Sequence, residues 1–345
     1  MAANYLYLSS IAENFGAIAF LTSFLIGIVL IFLTLFGVRK IFGTYKYLMV
    51  IFTTLGIALA FTEAFFHPNL HFYNIGLIFF SLTFPLGLSK TAMNVILALY
   101  SGIYSLTISL LAVQFVYRYW ALFGLRYMLL FRGWKSTVWV VYCFVFGGSW
   151  SIAAYFLLQM DGTTNTYFRQ EMRSGYNVDV ESIPSLAVLS FDPNDGSIRW
   201  SGIIYTVLIT LIMSVQYGVM MFCGWNMYRK MEETILNFSS ALKHHHRQLF
   251  KTLVLQITCP TIFLFSPLVI ISYLQFLRIE CSFSAGVVFS AISVYPAMDS
   301  IIVLFVVTEY STVVKKMWNR VTSKTDASNT NTEVYRMSTR RSAET

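Results

Sequence analysis

The sequence predicts an all-α membrane protein. It reads as a bundle of seven transmembrane helices, N-terminus outside and C-terminus inside, followed by a short amphipathic eighth helix. Three observations predict it. Of 345 residues, 57% are hydrophobic and only 12% charged, whereas a soluble domain carries about 25% charged residues, so polar groups are too few to cover a water-facing surface. Seven apolar stretches reach the ~20 residues that a helix needs to cross the hydrocarbon core. The Lys and Arg residues gather on one side of those stretches, as cytoplasmic loops require. The same composition excludes a disordered chain, a fibre and an ordinary cytosolic enzyme. Four cysteines are too few for a disulfide scaffold.

Residues 1–14 read as an outer N-terminal segment. They hold no Lys or Arg, so the basic n-region of a signal peptide is missing and the first apolar stretch stays as a span. The spans are Phe15–Val38, Tyr47–Phe66, Met93–Tyr117, Thr137–Met160, Trp200–Trp225, Leu253–Leu277 and Phe283–Val307. Within them stand two acids, Glu63 and Asp299, and no Lys or Arg. An eighth apolar stretch, Phe72–Leu88, is shorter and carries Gly76, Pro85 and Gly87. With it left outside, 19 of the 24 Lys and Arg fall on the inner side; were it to cross, every later loop would invert and that asymmetry would collapse. Phe72–Leu88 therefore reads as an outer loop that dips into or packs on the bundle.

The outer segment Asp161–Arg199 holds six acids and three arginines and ends in the turn signal Asp192-Pro193-Asn194-Asp195-Gly196. It reads as a loop, either a solvated link or a lid. The bundle with its loops spans residues 15–309. In residues 310–321, Val313, Val314, Met317, Trp318 and Val321 share one helical face while Lys315, Lys316 and Arg320 fall elsewhere, the pattern of a helix lying on the inner membrane surface. Residues 322–345 are rich in Ser, Thr and Asn and read as a disordered tail.

The basic residues are spread over four inner segments, which does not make a nucleic-acid surface. His244-His245-His246 would point about 100° apart on a helix, so the run suits a solvated basic segment better than a metal site. No cofactor is expected. Polar stripes recur at helical spacing: Asn94, Ala98, Ser101, Ser105 and Ser109; Thr206, Thr210, Ser214 and Tyr217; Thr258, Thr261, Phe265, Leu268 and Ser272; and Gly286, Ser290, Ser293 and Ala297. They serve either close helix packing or a modestly polar pocket in the outer halves of the spans. The pocket reading names Asn94, Ser101, Ser105, Thr206, Thr210, Phe265, Phe289 and Ser290 as ligand contacts. Pro260 and Pro267 in the sixth span and Pro296 in the seventh each remove a backbone hydrogen bond, as fixed kinks or as hinges. Asp299 is costly in hydrocarbon and should face the interior, where Gln114, Gln256 or water would bond it.

Four motifs carry a family resemblance: Gly43-Thr44-Tyr45-Lys46-Tyr47-Leu48-Met49, Gln114-Phe115-Val116-Tyr117-Arg118-Tyr119-Trp120-Ala121-Leu122, Gln248-Leu249-Phe250-Lys251-Thr252-Leu253-Val254 leading to Gln256 and Pro260, and Tyr295-Pro296-Ala297-Met298-Asp299. With seven spans and a basic inner face, the chain resembles the nematode seven-transmembrane chemoreceptors of the Str type, G-protein-coupled receptors of the serpentine superfamily. The resemblance implies detection of a small external molecule at the plasma membrane, by that analogy in the sensory cilium, and relay to a heterotrimeric G protein. Tyr117, Arg118, Tyr119, Arg229 and Lys230 would contact the G protein, and Gln114, Gln256, Pro260, Pro296 and Asp299 would form the activation network. Arg118 is similar to the arginine of the Asp-Arg-Tyr motif in rhodopsin-like receptors, but Tyr117 replaces its acid, so the lock on Arg118 must differ or be absent. The alternative is a seven-span ligand-gated channel or transporter.

Overall fold

The computed structural model describes residues 5–37, 44–235, 254–306, 310–315 and 319. The loop with the histidine run, the tail and most of the amphipathic face of residues 310–321 lie outside the described residues.

The helices are α1 (Leu6–Phe32, prolonged by a π turn over Leu33–Gly37), α2 (Thr44–Phe66), α3 (Lys90–Phe123), α4 (Thr137–Leu157), α5 (Gly162–Tyr176), α6 (Trp200–Ile235), α7 (Val254–Leu277) and α8 (Gly286–Val306). All but α5 correspond to the seven expected spans. Six are long and apolar enough to cross a bilayer; the seventh, α8, is the shorter one. Lipid-facing apolar side chains such as Leu21, Leu25, Phe144, Phe156, Val207 and Leu211 are exposed, the mark of a bundle whose outer solvent is hydrocarbon. Residues 310–315 are helical; the Tyr310 ring is fully buried beside Leu30, Leu33 and Met49, and its hydroxyl lies 2.8 Å from Thr34 Oγ1.

α3 is the central column. Its 34 residues extend about 51 Å, well beyond the ~30 Å hydrocarbon core, and it touches α2, α4 and α6. Ser89 caps its start by accepting from the Ala92 N–H. The approach to α4 depends on two glycines. A Cβ at Gly102 would meet Ser151 Oγ at 1.8 Å and the Gly147 carbonyl at 2.8 Å, and one at Gly147 would meet the Gly102 carbonyl at 3.1 Å. Ser151 can rotate away, but the backbone carbonyl cannot. Gly102→Ala should therefore push the helices apart at a cost of about 1–3 kcal/mol, read as a lower thermal midpoint of the purified protein; an unchanged midpoint would show that the contact is slack.

The segments expected as loops at the α5 end of the bundle, with the first two residues of the expected seventh span, build a four-stranded antiparallel sheet in the order β3-β2-β1-β4. Its strands are β1 (Pro68–Tyr73), β2 (Gly76–Ser81), β3 (Ser185–Leu189) and β4 (Ser282–Ser284). The stretch Phe72–Leu88 thus packs on the bundle as most of a hairpin, turned at Asn74 in the left-handed region that Asn tolerates. Alternation gives the sheet two buried faces. Leu70, Phe72, Leu77, Phe79, Leu186 and Val188 look into the bundle, whereas Ile78, Phe80 and Ala187 pack under Phe168, Met172 and Tyr176 of α5.

The segment Asp161–Arg199, read as loop, contains α5 and β3. A reciprocal capping box between Asp161 and Thr164 starts α5, and Asn177 in the left-handed region ends it. All four cysteines are free, so strand pairing rather than a disulfide pins this segment down. Its three arginines pair with acids: Arg169 with Glu181, Arg173 with Asp179 at 2.7 Å and Arg199 with Asp161 at 2.5 Å. These pairs are largely exposed and each contributes little.

A partly buried polar cluster joins four parts of this cap. His71 Nε2 of β1 lies 3.2 Å from Glu171 Oε1 of α5, and its Nδ1 lies 3.2 Å from the Tyr176 hydroxyl. Ser282 of β4 donates to the same Glu171 oxygen at 2.5 Å, and Tyr5, at the start of α1, bonds Ser282 at 2.8 Å. The His71 hydrogen bond, ahead of that from Ser282, holds the Glu171 carboxyl below the usual glutamate range against the opposing effect of burial. A depressed carboxyl stabilises the fold above its unfolded pKa, and that contribution is lost as pH falls through the lower folded value. Acidification from pH 6 to below about pH 4.3 should therefore lower the thermal midpoint of the wild type more than that of Glu171→Gln. Parallel curves for the two proteins would rule the cluster out as a source of acid sensitivity.

Candidate ligand cavity and the Arg118 lock

Between the inner face of the sheet and the bundle lies a cavity of about 60 Å³, roughly four times what a single water needs. Leu70, Leu77, Phe79, Leu186 and Val188 of the sheet roof it. Its walls are Tyr100, Ser101 and Tyr104 of α3, Trp150, Ala154 and Leu158 at α4, Tyr205, Thr206 and Ile209 of α6, Leu268, Ser272 and Gln275 of α7, and Phe289 and Ile292 of α8. No charged side chain is among the lining residues. α7 is shaped here by its prolines: Pro260 precedes a π turn over Thr261–Phe265, and Pro267 sits in the first turn of the α-helical stretch that follows. The Leu264 carbonyl in this widened turn accepts the Tyr104 hydroxyl at 2.7 Å, tying α3 to α7 beside the cavity.

Of the sequence candidates, Ser101, Thr206 and Phe289 line the cavity. Asn94 stands nearer the start of α3, off the wall. Ser105 is one turn past Ser101 and wholly buried between helices. Thr210 turns to Tyr273, 2.9 Å away, on an exposed face. Phe265 packs against Tyr217. Ser290 belongs to α8, but its side chain lies outside the described residues. Sequence reasoning missed the roof and the α4 wall. The only cue to the roof was that Phe72–Leu88 is apolar without being long enough to span.

At the opposite end, Arg118 of α3 is held by neutral partners. Its Nε donates to the Tyr45 hydroxyl at 2.8 Å, its Nη2 reaches the same oxygen, and its Nη1 donates to Gln256 Oε1. The guanidinium also lies 5.4 Å from the Tyr45 ring centre and 5.9 Å from that of Phe115. Tyr117, in place of an acid, stacks on Tyr45 at 5.2 Å and meets Phe131 edge-on at 4.9 Å. α3 is thereby fastened to α2 and α7 without an ion pair. Gln256 is bonded to Arg118 rather than to Asp299, and Asp299, though buried, has no hydrogen-bond donor among the described residues. Gln114 is buried, and its amide nitrogen has no hydrogen-bond partner among the described residues. Pro296 fits a notch in α2, where a Cβ on Gly56 would meet it at 2.6 Å. Lys230 lies over Phe123 at 4.8 Å and Tyr119 at 5.4 Å, and Arg229 is exposed.

A seven-helix membrane bundle with an internal cavity under a cap, and a hydrogen-bonded arginine at the other end of the same central helix, has the layout of a seven-transmembrane receptor. Residues 12–315 match the family described as serpentine type 7TM GPCR chemoreceptor Str, and the chain belongs to that family. It is 35% identical over 308 residues to the G-protein coupled receptor str-33 of Caenorhabditis elegans, covering 88% of this chain and 89% of that one. It is 25% identical to the serpentine receptor class r-10 of C. elegans over 84% of this chain and 88% of that one, and 24% identical to its Caenorhabditis briggsae namesake over 90% and 91%. The chain is thus a multi-pass membrane protein of a chemosensory receptor family.

Proposed function

We propose that this receptor detects a small neutral molecule in the capped cavity and signals to a heterotrimeric G protein from the Arg118 end. The observation that carries the reading is that α3 serves both sites: Tyr100, Ser101 and Tyr104 on the cavity wall and Arg118 in the latch, about 25 Å apart along one helix. In this reading the sheet faces outside and the basic loops face the cytoplasm of the plasma membrane, in a chemosensory neuron at the sensory cilium. The described conformation, with Arg118 occupied by Tyr45 and Gln256, is the closed one. Ligand binding shifts α3 against α7, and the shift frees Arg118. Gln114, Gln256, Asp299 and the turns at Pro260 and Pro296 rearrange with it, and Tyr117, Arg118, Tyr119, Arg229 and Lys230 form the G-protein contact.

The test is a screen of small neutral odorant-like molecules in heterologous cells with a G-protein-dependent readout, with epitope tags at both termini. The N-terminal tag should be stained on intact cells and the C-terminal tag only after permeabilisation. Inverted staining would remove the receptor reading and favour a seven-span channel or transporter.

A further inference from the structure

The cavity's polar side chains have almost all committed their donors. Tyr100 donates to Glu63 Oε2 at 2.5 Å, Tyr104 to the Leu264 carbonyl at 2.7 Å, Ser101 to the Ala98 carbonyl at 2.7 Å and Thr206 to the Gly202 carbonyl at 2.8 Å. The Trp150 N–H is given to the Tyr205 hydroxyl at 3.1 Å, and the Gln275 amide nitrogen to Thr206 Oγ1 at 3.3 Å and the Ser272 carbonyl at 2.9 Å. Two donors are left over. Tyr205 accepts from Trp150, and no acceptor among the described residues takes its own proton; the Ser272 hydroxyl has no hydrogen bond among the described residues. Tyr205 is on α6 and Ser272 on α7, and both line the same apolar chamber.

An O–H group that lines a cavity and has no acceptor is open to a ligand's, and a site built to bond a ligand oxygen rejects the analogue that lacks it. Resting on the cavity reading above, we propose that the ligand is a compact, uncharged molecule bearing a hydrogen-bond acceptor, such as a carbonyl or ether oxygen, that receives the protons of Tyr205 and Ser272. The lining excludes an ionic ligand, because no charged group is present to offset its desolvation. The remaining surface, chiefly Leu, Ile, Val, Ala and aromatic rings, suits a hydrocarbon body around that one acceptor. Such a ligand would bridge α6 and α7.

Tetrahydrofuran and cyclopentane test this, because they share a shape and differ only by an ether oxygen in place of a methylene. Each is titrated into full-length receptor in detergent, with thermal unfolding followed. Partitioning into micelles is the same for every variant, so the wild-type-to-variant ratio is read for each probe separately. Tyr205→Phe and Ser272→Ala should each weaken the tetrahydrofuran response, about tenfold for a lost hydrogen bond, and leave the cyclopentane response within about twofold. Ser272→Ala keeps the test decisive should Tyr205→Phe, which also frees the Trp150 N–H, fail to fold. Ala154→Phe, which fills the chamber, should abolish both responses. Equal tetrahydrofuran and cyclopentane ratios in both variants, with both responses lost in Ala154→Phe, would overturn the acceptor proposal while leaving the cavity in place. Responses to neither probe, or responses that survive Ala154→Phe, would overturn the cavity reading and the proposal together.

Discussion

Arg118→Ala should reach the cell surface, bind ligand with unchanged affinity and signal at background level. The side chain sits at the end of α3 remote from the cavity, so its removal leaves the cavity wall untouched. In the described conformation its guanidinium is spent on Tyr45 and Gln256, and in the proposed open conformation it is the group offered to the G protein. The partners should behave in the opposite way. Tyr45→Phe removes the oxygen that accepts both Nε and Nη2 of Arg118, and Gln256→Leu the one that accepts Nη1; each loses at least one hydrogen bond to a charged group, worth about 1.5–3 kcal/mol, from the closed state alone. A loss of about 1.4 kcal/mol shifts a two-state balance about tenfold, so both variants should raise basal signalling at equal surface expression. Full ligand-driven signalling from Arg118→Ala would reduce the residue to a membrane anchor. Silent Tyr45→Phe and Gln256→Leu variants would show that its hydrogen bonds are packing and not a latch.

The spans were legible because hydropathy over twenty residues is a local property, and hydrocarbon admits few alternatives to a helix. The prolines of α7 were equally visible, but whether a helix answers Pro260 by bending or by widening depends on what waits opposite; here the π turn offers Leu264 to Tyr104, a partner 160 residues away. The sheet was hidden for a different reason. A short apolar run buried on both faces shows no alternation of polarity, and Phe72–Leu88 is such a run because α5 covers the side that would otherwise meet water. β3 was hidden inside a polar segment, where five residues gain strand character only from pairing with β2. The cavity was half legible as a result. Ser101 and Thr206 could be read from stripes on helices, and Phe289 was named beside the stripe of the seventh span; Leu70, Phe79 and Val188 could not, since they reach the cavity only through strand pairing. Arg118 was legible by position, and its partners stood in the quoted motifs, but the choice of Tyr45 and Gln256 over Asp299 is a matter of geometry that spacing does not carry.

Tyr100→Phe should destabilise the receptor by more than the loss of one oxygen suggests. The Tyr100 hydroxyl, buried in the bundle, donates to Glu63 Oε2 at 2.5 Å, and Glu63 is itself only 4% exposed on α2. Removing the donor takes a hydrogen bond from an acid that water barely reaches, and a hydrogen bond to a charged group is worth about 1.5–3 kcal/mol. Replacing both partners by apolar groups of similar shape is less costly, because neither end of this hydrogen bond is then left behind without the other. The double variant Tyr100→Phe with Glu63→Met should therefore recover most of the thermal stability that Tyr100→Phe loses, a coupling of about 2 kcal/mol in a double-mutant cycle. The Tyr100 ring lines the cavity and lies 6.0 Å from both Phe79 and Phe289, and Phe preserves it. Ligand potency should thus move much less than stability in the double variant, whereas the maximal response should fall if the α2–α3 bond transmits the ligand's push. Additive effects of the two substitutions on stability would show that the bond between Glu63 and Tyr100 is not what holds the two helices together at this level.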